Sequence, residues 1–436
     1  MGMTHSSFGT FFRFTLFGGS HEPCIGVEIE GIPAGTPLDR AALRAFLERR
    51  APGQGAFASA RRETDVPCFE EGLEGDVFTG MPLRITIENR DPRPGDYAPL
   101  RHIPRPGHAD WPAFVRYGAI PAGGGHFSGR MTAAYCLAGG IAKQLLEREG
   151  IAISARILAI GGLPAEEAAA VEAALAEAKA QGDSLGGLIQ CEVKGLPTGL
   201  GDHPVGGLEN RVSQAVFGIP GVKGIEFGDG FALAAMKGSE ANDGYRMDEG
   251  RVMPQSNHAG GILGGMSSGA PLVFRAAFKP TPSIALPQES VDLAKGENVT
   301  LTISGRHDVC IALRAVPVVE AAAAVALYDA WLERKALESP DEMKALRQRI
   351  DAADRQMAEA FRRRMEAVDQ IGALKKARGS AVADARREAE VLEKVLRRGD
   401  HGSPADKKPS SPPDCRKELK SLYESIFQIS KERQGQ

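Results

Sequence analysis

Glycine is unevenly spread along this chain, and that asymmetry constrains the fold more than any other feature. The chain has 436 residues and 52 glycines, yet between Asp341 and Arg398 only Gly372 and Gly379 occur. Glycine in a helix interior costs roughly 1 kcal/mol relative to alanine. The stretch after Ser339-Pro340, dominated by Ala, Arg, Glu, Leu and Lys, therefore predicts helices. The glycine-rich stretch before it predicts turns and strands. The break sets two domains, 1–338 and 339–436.

In the first domain, β-type runs such as Leu83–Ile87 and Val299–Ile303 alternate with helical stretches at 39–50, 131–149 and 164–180. Residues 132–147 are small and apolar on most faces, which predicts a buried helix. Strands and helices intermix without a βαβα rhythm, so the fold class is α+β with antiparallel sheets. In the second domain Leu346, Ile350, Ala353, Met357, Phe361 and Met365 recur at spacings of three and four, which predicts a long amphipathic helix. A second helix is predicted from Asp384 to Leu396, a Pro-rich linker at 399–414, and a last helix from Cys415 to Arg433. Three helices in about ninety residues make a thin core, so this unit is expected to dimerise.

An apolar fraction of 42% excludes global disorder, and a net charge of -3 gives no reason to expect nucleic acid or a membrane surface as partner. The six cysteines lie far apart with no C-x-x-C pair, so no metal site is expected. They read as reduced thiols of a cytoplasmic protein. No leader pattern and no apolar run of membrane-spanning length is expected.

Polar and basic residues concentrate in glycine-bracketed segments: FGGSHE (17–22), RRAPGQ (49–54), RPGHAD (105–110), GGGHFSGR (123–130), KPTPS (279–283) and GRHD (305–308). Glycine permits close backbone approach and leaves N–H groups for anions. Arginine supplies a planar fork for phosphate or carboxylate, and histidine can move a proton near neutral pH. One such stretch is more often a turn. Six together point to an anion site, without naming the reaction.

In order and spacing these segments, with PTGLGD (197–202), GVKGIEFGDGF (221–231), SNHAGGILGG (256–265) and GRHDVCIALRAVPVVEA (305–321), resemble the chorismate synthase family over residues 8–332. The resemblance implies a β-α-β sandwich, a homotetramer, and reduced FMN as cofactor. It also implies anti-1,4-elimination of phosphate from 5-enolpyruvylshikimate 3-phosphate to give chorismate. By position it implies His21 as proton donor to the leaving phosphate and His108 as proton donor to the reduced flavin. Ser20 with Asp308 would relay a proton from the flavin, and Arg50, Arg105, Arg130 and Arg306 would bind substrate. Flavin contacts would come from His126, Phe127, Ser128, Pro220, Gly221, Gly264, Lys279, Pro280, Thr281, Pro282, Ser283 and Arg306. NADPH enters only if the protein reduces its own flavin. Ala56 replaces one arginine associated with that ability, so an external reductase is expected. The chain departs from the family pattern at Gly19 and Glu22 (family Glu and Gly), at His126-Phe127 and Met131, and at Val309.

In the second domain LRQRIDAAD (346–354), RRRM (362–365), LKKARG (374–379), VADARREAEVL (382–392) and ISKERQ (429–434) resemble the all-helical chorismate mutase domain. The resemblance implies an intertwined dimer that rearranges chorismate to prephenate. Its site would comprise Arg347, Arg364, Lys375, Asp384, Arg387, Glu388, Ser430 and Gln434, with Arg347 entering the partner's pocket. The competing expectations are a regulatory or dimerising tail, and a flavin-binding structural protein without catalysis.

Overall fold

A computed structural model describes residues 6–51, 57, 65–90, 100–248, 250–303, 308–338, 342–379, 385–398 and 416–435. It divides into two compact units, Thr4–Ala345 and Leu346–Gln436.

The first unit holds two antiparallel sheets. One contains β1 (Ser6–Phe8), β2 (Arg13–Gly18), β3 (Cys24–Glu30), β4 (Pro67–Glu71) and β5 (Leu83–Glu88), in the order β1-β2-β3-β5-β4. Its register sets Ile25 opposite Ile87, Val27 opposite Ile85 and Ile29 opposite Leu83. All six are buried, so one face is apolar throughout. The other sheet contains β6 (Ala152–Ile160), β7 (Leu163–Pro164), β8 (Gly187–Lys194), β9 (Val222–Phe227) and β10 (Leu272–Phe278), in the order β9-β10-β8-β6-β7. Here Ile189, Cys191 and Val193 face Ala276, Phe274 and Leu272 across the β8–β10 pair, all buried. The predicted run Val299–Ile303 forms one arm of a separate hairpin, Glu297–Leu301 against Gln288–Asp292.

Helices fill the space between the sheets. Those of the first unit are α1 (Arg40–Arg50), α2 (Asp110–Tyr117), α3 (Thr132–Arg148), α4 (Ala168–Gln181), α5 (Leu208–Phe217) and α6 (Ala312–Leu337), besides the single turn Gly238–Ala241. Helix α3 packs on the first sheet and on α6, and α6 packs on the second sheet. The two central helices cross at Gly139, where a Cβ would lie 2.2 Å from that of Ala321, so only glycine permits the approach. The expectation of no membrane-length apolar run needs correction at α6. This helix has 26 residues, with an apolar stretch long enough to cross a membrane, and 83% of that stretch is buried. It is apolar on all sides because protein surrounds it.

The second unit consists of α7 (Glu342–Arg378), α8 (Ala385–Arg398) and α9 (Arg416–Gly435). Ala352, Met365, Val368 and Ser430 are buried in it, whereas Leu346, Ile350, Met357 and Phe361 are exposed along α7. The linker 399–414 and Asp384 lie outside the described residues.

Candidate active site

One end of the helical layer gathers the glycine-bracketed segments around a cavity of about 790 Å³. Arg50 arrives on the last turn of α1, where a cation meets the partial negative charge of the helix C-terminus. Arg130 precedes α3, Arg105 and His108 precede α2, and Arg314 stands in the first turn of α6. All five line the cavity with Lys223, Lys279 and Asp308, over an apolar floor that includes Phe14, Leu16, Tyr135 and Val318.

The arginines are fixed on buried carboxylates. Asp65, outside every segment singled out in the sequence, takes Arg50 Nη1 on one oxygen and Arg130 Nη1 on the other. Arg50 Nε donates to Thr132 Oγ1 at 3.0 Å, and Arg130 Nε to Asn89 Oδ1 at 3.1 Å. Asn89 also donates to the carbonyls of Gly19 (3.0 Å) and Glu22 (2.7 Å), so one side chain braces both Arg130 and the His21 turn. Arg105 donates to Asp110 from Nε (2.7 Å) and Nη2 (2.9 Å). Burial would raise the Asp110 carboxyl, but hydrogen bonds from Arg105 and His108 hold it far below the usual carboxylate range. Arg314 donates to Asp308 Oδ2 at 2.7 Å and to the Arg50 carbonyl at 3.0 Å. Burial, then the neighbouring Arg50, lower its guanidinium below the ordinary value. Burial, then Lys223, likewise lower Lys279.

The two histidines flank the glycine run. A Cβ on Gly123 would lie 2.0 Å from His21 Cε1, and one on Gly124 would lie 3.0 Å from His108 Cε1. Gly123, Gly124 and Gly125 all have positive φ (56°, 85° and 50°), so both space and backbone conformation demand glycine. His108 Nδ1 lies 2.7 Å from Asp110 Oδ1. Because an ionised carboxylate only accepts, Nδ1 carries the hydrogen and Nε2 is the nitrogen that can exchange a proton. His21 lies behind Gly123, outside the cavity lining, with Nδ1 3.1 Å from Ser20 Oγ. Ser20 Oγ also donates to the Gly123 carbonyl at 3.1 Å. Its hydrogen bonds therefore go to the glycine turn, and none reaches Asp308. Of the sequence departures, Gly19 and Glu22 form one feature: the Glu22 carboxylate would lie 3.1 Å from a Cβ at position 19.

Of the expected flavin contacts, His126, Phe127, Ser128, Pro220, Gly221, Lys279, Thr281, Pro282 and Ser283 line the cavity, and Pro280 and Gly264 do not. Arg306 lies outside the described residues. His126 spans two strands, with Nδ1 3.0 Å from the Gly18 carbonyl and Nε2 2.6 Å from Ser6 Oγ. Asp65, Asn89, Asp110 and Arg314 were not singled out as site residues. Only the last two lay within quoted segments.

In the helical unit Arg364 Nη1 donates to Ser430 Oγ at 2.5 Å, and its guanidinium stands 5.8 Å from the Phe427 ring centroid. Glu388 pairs with Lys431 at 3.0 Å. Gln434 packs against Gly372, one turn before Lys375. Arg387 is exposed and reaches Glu390 at 3.4 Å. Arg347 lies seventeen residues before Arg364 on α7, a separation of roughly 25 Å at 1.5 Å per residue. The two cannot share a pocket within one copy.

Fold and site together define an α+β enzyme unit with a cavity whose described charged lining is mostly cationic, joined to a small helical unit. The chorismate synthase family model matches residues 12–332, and the chorismate mutase type II model matches residues 346–435. A chorismate synthase of Lancefieldella parvula is 42% identical over 366 residues, covering 75% of this chain and 96% of that protein. One of Thermococcus kodakarensis is 44% identical over 350 residues (76% and 98%), and one of Chitinophaga pinensis 46% over 329 residues (75% and 96%). A chorismate synthase crystal structure shares the fold, with a TM-score of 0.60 and 24% identity over 80% of this chain and 98% of its own. The chain belongs to the chorismate synthase family, and it carries a chorismate mutase domain after the synthase domain. This is the bifunctional arrangement of a lyase with mutase activity, and the family implies a reduced flavin requirement.

Proposed function

We propose that the first unit eliminates phosphate from 5-enolpyruvylshikimate 3-phosphate and that the helical unit rearranges the resulting chorismate to prephenate. The observation that carries this is the cation excess of the cavity. Arg50, Arg105, Arg130, Arg314, Lys223 and Lys279 line it against Asp65, Asp110 and Asp308. That imbalance suits a ligand bearing a phosphate and two carboxylates.

The donor set and the apolar floor also fit FMN, whose reduced ring supplies the electron density that assists phosphate departure without net redox change. Lys279, Thr281, Pro282 and Ser283, with Pro220 and Gly221, would hold it. His108 presents Nε2 for proton exchange on the cavity side of the glycine run. For His21, bonded to Ser20 behind Gly123, to protonate the departing phosphate, the glycine turn would have to open toward the cavity; Asp308, held by Arg314, accepts a proton within the cavity. The chain takes its flavin already reduced and works in the cytoplasm.

In the helical unit Arg364 and Arg347 clamp carboxylates, Arg387 adds a further binding contact, and Lys375 and Gln434 face the ether oxygen where negative charge develops. Arg347 is supplied by a second copy, which covers the exposed stripe Leu346, Ile350, Met357 and Phe361. Synthase units assemble as a tetramer, with mutase units paired.

The test is anaerobic incubation of the full chain with 5-enolpyruvylshikimate 3-phosphate and chemically reduced FMN. Chorismate followed by prephenate is expected. Chorismate without enzyme-dependent prephenate would remove the mutase role, and neither product would remove both.

A further inference from the structure

Asp65 has no part in the roles above, yet it holds an unusual position behind two arginines of the cavity wall. Among the described residues it alone has a positive φ without being glycine, at 41°. Such a conformation is uncommon outside glycine, and aspartate and asparagine adopt it more readily than other residues. Its side chain is only 2% exposed, and each carboxylate oxygen takes a different guanidinium. Burial would raise the Asp65 carboxyl, but Arg50 and Arg130 more than offset this and keep it below its ordinary value.

We propose that Asp65 is the positioning residue that sets Arg50 and Arg130 at one fixed spacing for the phosphate or a carboxylate of the substrate. The inference rests on the reading of the cavity as the site of the phosphorylated substrate. Each guanidinium is anchored at Nη1 by Asp65 and at Nε by Thr132 or Asn89, and Arg130 Nη2 also reaches the Glu88 carbonyl at 3.4 Å. Two anchors fix both the place and the plane of a guanidinium, which a single ion pair does not. One carboxylate shared by two arginines holds both guanidinium groups at a geometry chosen in advance. Binding then does not have to overcome the mutual repulsion of two free cations.

A merely neutralising role predicts the opposite result on removal. Taking one negative charge from an anion-binding cavity raises its positive potential, so anions would bind more tightly. Loss of positioning weakens their binding.

Asp65→Asn separates the two, because asparagine tolerates the left-handed backbone and keeps the shape while removing the charge. In the full chain, with reduced FMN supplied, KM for 5-enolpyruvylshikimate 3-phosphate should rise at least tenfold. The calorimetric affinity for inorganic phosphate should fall by a similar factor. FMN affinity and the chain's rate on added chorismate should stay within twofold of wild type. An unchanged or lowered KM, or phosphate bound as tightly as before or more so, would overturn the proposal. A general loss of FMN binding, KM and mutase rate together would assign Asp65 to folding and also overturn it. Wild-type protein that binds phosphate but does not turn over the substrate would remove the substrate reading, while the phosphate comparison still decides the role of Asp65. If Asp65→Asn does not fold, Asp65→Glu carries the test. It keeps the charge but moves both oxygens by a methylene, and wild-type KM and phosphate affinity in that variant would refute positioning.

Discussion

Replacing Asp110 by asparagine should damage stability and turnover through separate routes. Asp110 is 1% exposed and accepts from Arg105 Nε, Nη2 and backbone N, and from His108 Nδ1, all within 3.1 Å. Asparagine has a single acceptor oxygen and turns an amide donor toward a guanidinium that is itself 5% exposed. Breaking a buried pair by removing one partner costs about 3–5 kcal/mol. At about 2.1 cal/mol/K of unfolding entropy per residue, a unit of this size shifts by roughly 1.4 °C per kcal/mol, so the synthase transition should fall by about 4–7 °C in calorimetry of the full chain. His108 simultaneously loses the acceptor that keeps the hydrogen on Nδ1. Misplaced general acid–base groups cost about 10²–10⁴-fold, so anaerobic turnover should fall by at least about 10²-fold. His108→Ala separates the routes. It leaves the Arg105–Asp110 pair intact, so turnover should fall by a similar factor while the transition moves little. In the double variant the turnover losses should not multiply, since both changes disable one proton path. An unshifted transition in Asp110→Asn would refute the energetic argument, and multiplicative losses in the double variant would refute the shared path.

Other outcomes are expected in the same assays. His21→Ala should lower synthase turnover by about 10²-fold, and a near-normal rate would remove its role. Gly123→Ala should do comparable harm without touching a titratable group, because the new methyl meets His21 Cε1 at 2.0 Å at a φ of 56°. If it keeps wild-type activity, the packing of the glycine run against His21 is irrelevant to function. Arg347→Ala or Lys375→Ala should abolish prephenate formation and spare chorismate formation, and unaltered prephenate would exclude both from the site. Asp65, Asp110 and Glu320 are buried, which raises a carboxyl, yet their cationic partners hold all three below their ordinary values. Depressed carboxylates stabilise the fold above their unfolded pKa, and that stability is lost as pH falls toward the folded value. Urea midpoints of the synthase unit should therefore hold steady from pH 7 to about 5 and fall steeply below about 4. A midpoint that rises in acid would contradict the assignment.

Periodicity made the helical unit legible, because Leu346, Ile350 and Met365 recur at a spacing only a helix satisfies. A run of small residues apolar on most faces, rather than a period, marked α3 within a residue at each end, and α6 was missed. A helix buried on every side has no polar face to mark its period, and Ala-Val runs are equally compatible with a strand. Ser20 and Asp308 were joined through resemblance, but Ser20 Oγ is committed to His21 and Gly123. Sequence spacing carries no information on which hydroxyl direction a turn selects. The glycine run could be read as a close approach, but not as a wall with one imidazole on either side.

What most escaped the sequence was the distinction among arginines. Arg44 and Arg334 are paired to exposed glutamates four residues away, a spacing visible in the letters and worth little energetically. Arg50 and Arg130 are fifteen residues before and sixty-five after the one buried carboxylate they share. Asp65 itself follows a charged stretch and precedes a strand, where an aspartate is an ordinary turn residue. Only the fold reveals that two buried guanidinium groups take the two oxygens of one carboxylate. Burying an uncompensated cation is expensive. Two guanidinium groups held on one carboxylate, in a cavity also lined by Arg105, Arg314, Lys223 and Lys279, specify an anion as what binds there.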